Sequence, residues 1–461
     1  MAESWSSSSW DVHLDWQPSS GSRGLAEAIR QAIRDGRLAP GTAVPSTRAL
    51  AKDLDVARGT VTRVYADLAA EGYLRTSQGA PTRVATAGAA PISPPRLRAD
   101  APEARWDLMP GRPDVSAFPR GAWLSATRRV LQDAPAQVFG YSDARGPVVL
   151  REALARYLAR SRGVLADPER IVVCGGFSHG IALLSAVLRD LGVGEIAFED
   201  PSLPQFRRLV ADAGHRIPGI PVDDHGIRVS EVDSPAVVVT AAHQYPIGVT
   251  LAPDRRTALA RLATEQGTIV IEDDYDGEFR FDGQQVGALQ ALAPERIVYV
   301  GTASKTLAPA MRVGWLVLPR SLVEPVRAKL ASTGWRPPTL EHLVLAEFLE
   351  SGEYDRQVRR CRSAYRARRD RLLAALPGYL TPKGIPAGLQ ALLMLPGFGP
   401  SEAQVMASAR RNSVAFEPLG DYWIRAPDRP PGLVIGYATP AKHAFGPAIE
   451  ALLKTLREAD R

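Results

Sequence analysis

The chain is poor in cysteine and, less usually, in lysine. Only Cys174 and Cys361 occur in 461 residues, which excludes a disulfide framework and any multi-cysteine zinc or iron–sulfur site. Both thiols are expected to be buried. No apolar run reaches the roughly 18 residues of a membrane-spanning helix, and the opening MAESWSSSSW lacks the basic start and apolar stretch of a secretion signal. A cytoplasmic protein with no membrane partner is therefore expected. Hydrophobic residues at 45% and charged residues at 23% exclude wholesale disorder, collagen and coiled coil. At roughly 150 residues per domain the length predicts about three cores or two unequal units. Of the 56 basic residues six are lysine, and the formal charge of +6 allows a nucleic-acid partner without requiring one.

Along the chain, residues 1–22 read as a flexible N-terminal segment and 85–104, TAGAAPISPPRLRADAPEA with its neighbours, as a proline- and alanine-rich linker. Between them, 23–84 reads as three short helices and a hairpin. Leu25, Ile29 and Ile33 recur every four residues, Leu50 and Leu54 repeat that spacing, and Val61, Val64, Tyr65 and Leu68 occupy one helical face. Pro40, Gly41 and Pro45 break the first connection, with Ser46 as an N-cap, and only Asp55-Val56-Ala57 makes the second. Two helices joined by so short a turn form a helix-turn-helix, whose second helix enters the DNA major groove. YLRTSQGAPTRV then supplies two extended arms of a wing.

Arg58, Thr60 and Arg63 stand near the start of the second helix of that pair as candidates for base edges, and Arg48, Lys52, Arg75 and Arg83 as candidates for phosphates. Six basic residues face four acidic ones from 48 to 83, so the charge balance alone is also that of an ordinary solvated bundle. The pattern is more specific: GTAVPSTRALAKDLDVARGTVTRVYADLAAEGYL resembles the winged helix-turn-helix of the GntR superfamily from Leu25 through Val84. Ala57 departs from the Ser or Thr usual there and removes an N-cap worth about 1 kcal/mol.

From 105 to 461, apolar runs at 171–174, 196–199, 237–240, 268–272, 297–300 and 315–318 alternate with helical stretches. That alternation predicts an α/β fold with a parallel-rich sheet covered by helices, followed by a small C-terminal lobe. Lys305 is the single lysine between Lys52 and Lys329, and it follows a strand in VGTASKTLAPAMRVGW. A lysine that carries pyridoxal 5'-phosphate needs a carboxylate for the ring nitrogen, a hydroxyl for the ring oxygen and donors for the phosphate. Asp273 and Tyr275 end TIVIEDDY two residues apart and so point the same way. Thr302, Ser304, Arg312 and the strand-Gly175-Gly176-helix turn are the phosphate candidates.

IEDDYDGEF, TAAHQYPIG, GTASKTLAPAMRVG, YSDARGPVVLREALARYL and GRPDVSAFP closely resemble the body of the MocR family, in which a GntR-type head is fused to a fold type I aminotransferase-like domain. The resemblance covers nearly the whole chain. It implies a homodimeric regulator that binds a double-stranded DNA operator, holds pyridoxal 5'-phosphate as an aldimine on Lys305, and senses that cofactor or a small amine or amino acid. It also implies Asp273 at the pyridine nitrogen, Tyr275 at the ring oxygen, Arg312, Gly176, Phe177 and Ser178 at the phosphate, Tyr141 reaching the phosphate of a neighbouring subunit, and His243 and Gln244 in the place of an asparagine motif.

Three positions depart from that pattern. Leu203 stands where an aromatic residue stacks on the cofactor, Phe177 where a phosphate-binding hydroxyl is usual, and Val434 where an arginine pairs with the substrate carboxylate. Valine cannot replace a bidentate guanidinium, so transamination of ordinary amino acids is not expected, and the alternative of an active aminotransferase with an accessory head carries less weight. Gly176-Phe177-Ser178-His179-Gly180 also satisfies the G-x-S-x-G of a hydrolase nucleophile elbow, with His342 or His443 as a downstream base. It explains nothing around Lys305, and Ser178 is expected to be a helix N-terminal hydroxyl. The eight arginines from Arg356 to Arg371 are expected on a solvated helix face with pairs inside the helix.

Overall fold

The computed structural model describes residues 14–77, 80–85, 104–284, 286–425 and 429–460. Nearly all of the expected linker, and residues 1–13 of the expected N-terminal segment, lie outside the described residues. The chain divides into two compact units, Met1–Glu103 and Ala104–Arg461.

The first unit contains α1 (Gly21–Arg34), α2 (Thr47–Asp53) and α3 (Arg58–Ala70), followed by the antiparallel pair β1 (Leu74–Ser77) and β2 (Ala80–Val84). Its core is the set the periodicity selects: Leu25, Ile29, Ile33, Leu50, Val61, Val64, Tyr65 and Leu68 are buried with Leu74 and Val84 of the wing. Ser46 caps α2 by accepting from the Ala49 N–H at 3.2 Å, and Asp55, in the left-handed region at φ 50°, turns the chain into α3. Ala57 leaves α3 without a side-chain cap. Tyr65 compensates by tying α3 to the preceding connection, its hydroxyl donating to the Pro45 carbonyl at 2.9 Å. One boundary is corrected. Leu14 and Trp16 pack against this core, because their apolar surface is removed from water there, so the folded unit begins before residue 23.

In the second unit β3 (Trp106–Asp107), α4 (Arg120–Asp133) and α5 (Val148–Arg162) lead into β4 (Ile171–Cys174), α6 (Phe177–Asp190), β5 (Ala197–Asp200), α7 (Pro204–Asp212), β6 (Gly219–Asp223), β7 (Gly226–Ile227), β8 (Ala236–Val239), α8 (Pro253–Gln266), β9 (Ile269–Asp274), β10 (Ile297–Thr302) and β11 (Gly314–Val317). The strands form one sheet in the order β4-β11-β10-β9-β8-β5-β6-β7. The run from β10 to β6 is parallel, whereas β11 is antiparallel to both neighbours. Alternate residues feed opposite cores. Val173, Tyr299 and Trp315 pack with Leu154 of α5 and Phe348, while Val172, Val298, Val300 and Leu316 pack with Ile181 and Leu184 of α6. Burial on both faces explains why these strands read as continuous apolar runs.

After α9 (Arg320–Ser332), α10 (Thr339–Glu350) and α11 (Glu353–Ala375), the C-terminal lobe holds β12 (Thr381–Lys383), β13 (Gln390–Met394), α12 (Glu402–Arg411), β14 (Val414–Ala415), β15 (Glu417–Pro418), β16 (Gly432–Gly436) and α13 (Phe445–Ala459). Four of its strands make an antiparallel sheet in the order β12-β13-β16-β15, and β14 pairs in parallel with β3. The arginines of α11 correct the expectation of a merely solvated face. Arg356 does pair within the helix, with Glu353 at 2.6 Å, but Arg368 leaves it for Asp114 at 2.7 Å and Arg362 for the Glu278 carbonyl at 2.7 Å. These arginines tie α11 to other parts of the second unit. Among the described residues no helix is long and apolar enough to cross a membrane.

Candidate cofactor site and DNA-reading surface

A cavity of about 650 Å³ opens at the carboxyl ends of the parallel strands, where α/β sheets collect ligands. Asp273, on β9, and Tyr275, just beyond it, line one wall, and Thr302, Ser304 and Lys305 arrive from the end of β10. The register aligns Val300 with Asp273, so the two strand ends deliver these groups to one level of the sheet. Gly176, Phe177 and Ser178 come from the turn between β4 and α6, and Arg312 from the approach to β11. Lys305 Nζ donates to the Gly111 carbonyl at 2.5 Å. Burial lowers its proton affinity, while Asp273 and Asp276 partly restore it, so the amine is more easily freed for reaction than an ordinary lysine.

Asp273 is buried on this wall, and among the described residues no donor reaches its carboxylate. Burial pushes its carboxyl well above the usual range, and the Lys305 ammonium opposes that. A ring N–H is the group such a carboxylate lacks. Arg312 lines the cavity without a carboxylate partner among the described residues, beside the first N–H groups of α6, which a helix leaves unsatisfied. The Ser202 hydroxyl, also on the wall, is buried without a partner. The floor is close-packed backbone: Gly176 holds φ 84°, and a Cβ on Gly314 would stand 2.8 Å from Gly176 Cα and 2.9 Å from the Gly301 carbonyl oxygen. An unanswered carboxylate, a buried amine and an unpaired cationic cup fit pyridoxal 5'-phosphate in type and placement. Thr302 and Ser304 share a hydrogen bond of 2.9 Å at the cup.

Other candidates lie elsewhere. His243 and Gln244 are buried behind the wall and do not line the cavity. His243 Nδ1 donates to Asp276 at 2.7 Å and lies 3.0 Å from the Tyr275 hydroxyl, and that hydroxyl accepts from Gln390 at 2.9 Å. Gln244 donates to the Pro201 and Tyr245 carbonyls, both at 2.9 Å. The next residue, Tyr245, is the one on the wall. Tyr141 is 99% exposed and away from this cavity. Leu203 lines the wall at the start of α7, and two phenylalanines of the cavity, Phe177 and Phe206, pack as a pair with ring centroids 4.5 Å apart. Val434 is fully buried among Tyr245, Tyr275, Leu392 and Tyr422. The hydrolase constellation is not assembled: among the described residues Ser178 has no histidine partner, His342 is buried in α10, and His443 is exposed.

Sequence reasoning missed Glu199, Tyr245 and Glu417, all on the cavity wall. Glu199 accepts from the Thr240 amide at 3.1 Å, and burial pushes its carboxyl up to about 7. Its signal was the charge inside the apolar run IAFED.

In the first unit Arg48, Lys52, Arg58, Arg63 and Arg75 are exposed and have no hydrogen-bond or ion-pair partner among the described residues. Thr60 is half-buried on the first turn of α3. On the wing Arg75 stands directly opposite Arg83, which donates to the Gly41 carbonyl at 2.8 Å. Like charges across a strand pair are unfavourable alone and suit a surface that meets an anion.

A DNA-reading head and an aminotransferase-fold body thus share one chain. Residues 22–84 match the model of gntR-family bacterial regulatory proteins, and residues 114–409 match that of class I and II aminotransferases. The chain is 33% identical to the HTH-type pyridoxine biosynthesis transcriptional regulator PdxR of Corynebacterium glutamicum, over 88% of this chain and 90% of that protein. It is 31% identical to the probable rhizopine catabolism regulatory protein MocR of Rhizobium meliloti, over 90% of each. Among solved structures, an archaeal alanine:glyoxylate aminotransferase superposes with a TM-score of 0.69 at 24% identity, covering 77% of this chain and 91% of that one. The chain belongs to the MocR family of GntR-type transcriptional regulators.

Proposed function

We propose that this regulator acts in the cytoplasm as a homodimer on a double-stranded DNA operator, and that its body holds pyridoxal 5'-phosphate and senses either that cofactor or a small amine or amino acid. The observation that carries the reading is the pairing of Lys305 with the unanswered Asp273 carboxylate in one cavity. The cofactor, when bound, supplies an aldehyde that captures primary amines reversibly. Lys305 would provide the amine that anchors it, Asp273 would accept from its ring N–H, Tyr275 would serve its ring oxygen, and Thr302, Ser304, Arg312, Gly176, Phe177 and Ser178 would hold its phosphate. In the head, Arg58, Thr60 and Arg63 read bases, and Arg48, Lys52, Arg75 and Arg83 hold the DNA backbone.

Val434 supports sensing over turnover, since it leaves no guanidinium for an α-carboxylate on β16. A homodimer is supported by exposed apolar side chains concentrated between 115 and 149, among them Leu124, Leu131, Phe139, Tyr141 and Val149. Tyr141 would then meet the cofactor site of the partner subunit. Borohydride fixation of the cofactor-loaded protein followed by peptide mapping tests the anchor. The expected result is one modified peptide containing Lys305. A modification spread over surface lysines, or equal loading of Lys305→Ala, would overturn it.

A further inference from the structure

The wall of the cavity formed by the C-terminal lobe carries a carboxylate where a carboxylate-binding arginine would be looked for. β15 sets Glu417 directly opposite Val434 of β16, so the two side chains share one face of the lobe sheet. Glu417 lines the cavity, and one of its oxygens, Oε2, accepts the Tyr422 hydroxyl. Tyr422 is in turn steadied by Tyr245, hydroxyl to hydroxyl at 3.2 Å. The other oxygen, Oε1, receives no hydrogen bond among the described residues, and no ammonium or guanidinium lies within ion-pair distance. Arg112, the nearest cation on this wall, is engaged with Asp107 at 3.2 Å. The lining therefore carries both signs: Arg312 with the α6 N-terminus, and Asp107 and Glu417 with Arg112.

We infer that Glu417 is the specificity-determining residue for the effector, and that the effector is a small aliphatic diamine whose second ammonium group pairs with Glu417. This rests on the reading that the cavity binds the cofactor and that the cofactor captures the first amine. A half-buried carboxylate with a free oxygen favours a cation over water, and an ammonium answers it with up to three donors. Val434 contributes by leaving Glu417 uncompensated, because an arginine opposite it would neutralise the charge. An α-amino acid would instead bring a third anion to a wall that already carries two.

The test uses the full-length, cofactor-loaded chain, with putrescine, n-butylamine and γ-aminobutyrate as probes of equal carbon number. Calorimetric titration is expected to show putrescine binding at least about tenfold more tightly than n-butylamine, the scale of one charge-assisted hydrogen bond. In Glu417→Gln that ratio is expected to collapse toward one, and in Tyr422→Phe to fall part of the way. The n-butylamine constant, read in the same variants, reports whether the cavity itself is intact. Equal affinity for the diamine and the monoamine in the native chain would overturn the inference, as would tighter binding of γ-aminobutyrate, which would hand recognition to Arg112. A native chain that shows no cofactor absorbance would overturn the underlying reading as well. A normal cofactor spectrum without diamine preference would overturn this inference alone.

Discussion

Replacing Arg162 with methionine removes the group that answers a buried carboxylate one residue from the cofactor candidate Asp273. Arg162 Nε meets Asp274 Oδ2 at 2.6 Å and Nη2 meets Oδ1 at 3.1 Å, with side chains 4% and 2% exposed. Nη1 also donates to the Gly277 and Val286 carbonyls at 3.3 and 3.0 Å. Methionine keeps the apolar stem but leaves Asp274 with the Tyr299 hydroxyl at 2.8 Å as its remaining side-chain donor. Breaking a buried pair from one side costs about 3–5 kcal/mol, which for a unit of this size lowers Tm by about 4–7 °C. Gly277→Ala is expected to act in the same direction, since its Cβ would collide with both Asp274 Oδ1 and Arg162 Nη2. The comparison is Arg156→Ala, which breaks an exposed pair with Glu350 whose side chains are 61% and 47% exposed and costs below about 1 kcal/mol. Scanning calorimetry of the three variants reads the difference. An Arg162→Met protein within about 1 kcal/mol of the parent, or no worse than Arg156→Ala, would refute the reasoning.

Further consequences follow from the same geometry. Gly314→Ala pushes a methyl group into the Gly176 and Gly301 backbones, so cofactor affinity, read by absorbance titration, is expected to fall by about tenfold or more while the isolated DNA-binding step persists. Arg75→Ala is expected to weaken DNA binding uniformly across sequences and to reduce the log–log salt slope by about 1, whereas Arg63→Ala is expected to relax base preference by about 1–3 kcal/mol. Glu199 has a folded pKa of about 7, above its ordinary value of 4.5, because it is buried. A carboxyl raised in the folded state stabilises at low pH and loses that contribution as pH rises from about 4.5 to about 7. Glu199→Gln should therefore flatten the decline in stability across that window by a term on the order of 3 kcal/mol, and an unchanged slope would exclude Glu199 as its source.

The winged head was legible because its helices are amphipathic and its core positions recur at helical spacing, as Leu25, Ile29 and Ile33 show. The body strands were legible for the opposite reason: burial on both faces makes IVVC, TIVIE and IVYV continuously apolar. Strand direction was not legible. Gly314–Val317 is as apolar as its neighbours, and its antiparallel pairing with β4 and β10 follows from a chain reversal near Arg312. β6 was missed because Pro221 and Asp223 dilute its pattern, and β3 because two residues pairing with β14, more than 300 positions away, leave no local signature. Lys305, Asp273 and Arg312 meet at strand ends, where spacing and chemistry coincide. Glu417 belongs to a two-residue strand, and its importance depends on facing Val434, a cross-strand relation that spacing does not reveal.

The most direct test of the regulatory account is fluorescence anisotropy of the full-length protein on labelled DNA from its own upstream region, with and without pyridoxal 5'-phosphate, beside Lys305→Ala. The account predicts specific, salt-sensitive binding whose Kd shifts by about fivefold or more with the cofactor in the native chain and stays fixed in the variant. An equal shift in Lys305→Ala would contradict the coupling assigned to that lysine, and the absence of specific binding by either protein would contradict the operator-binding claim itself.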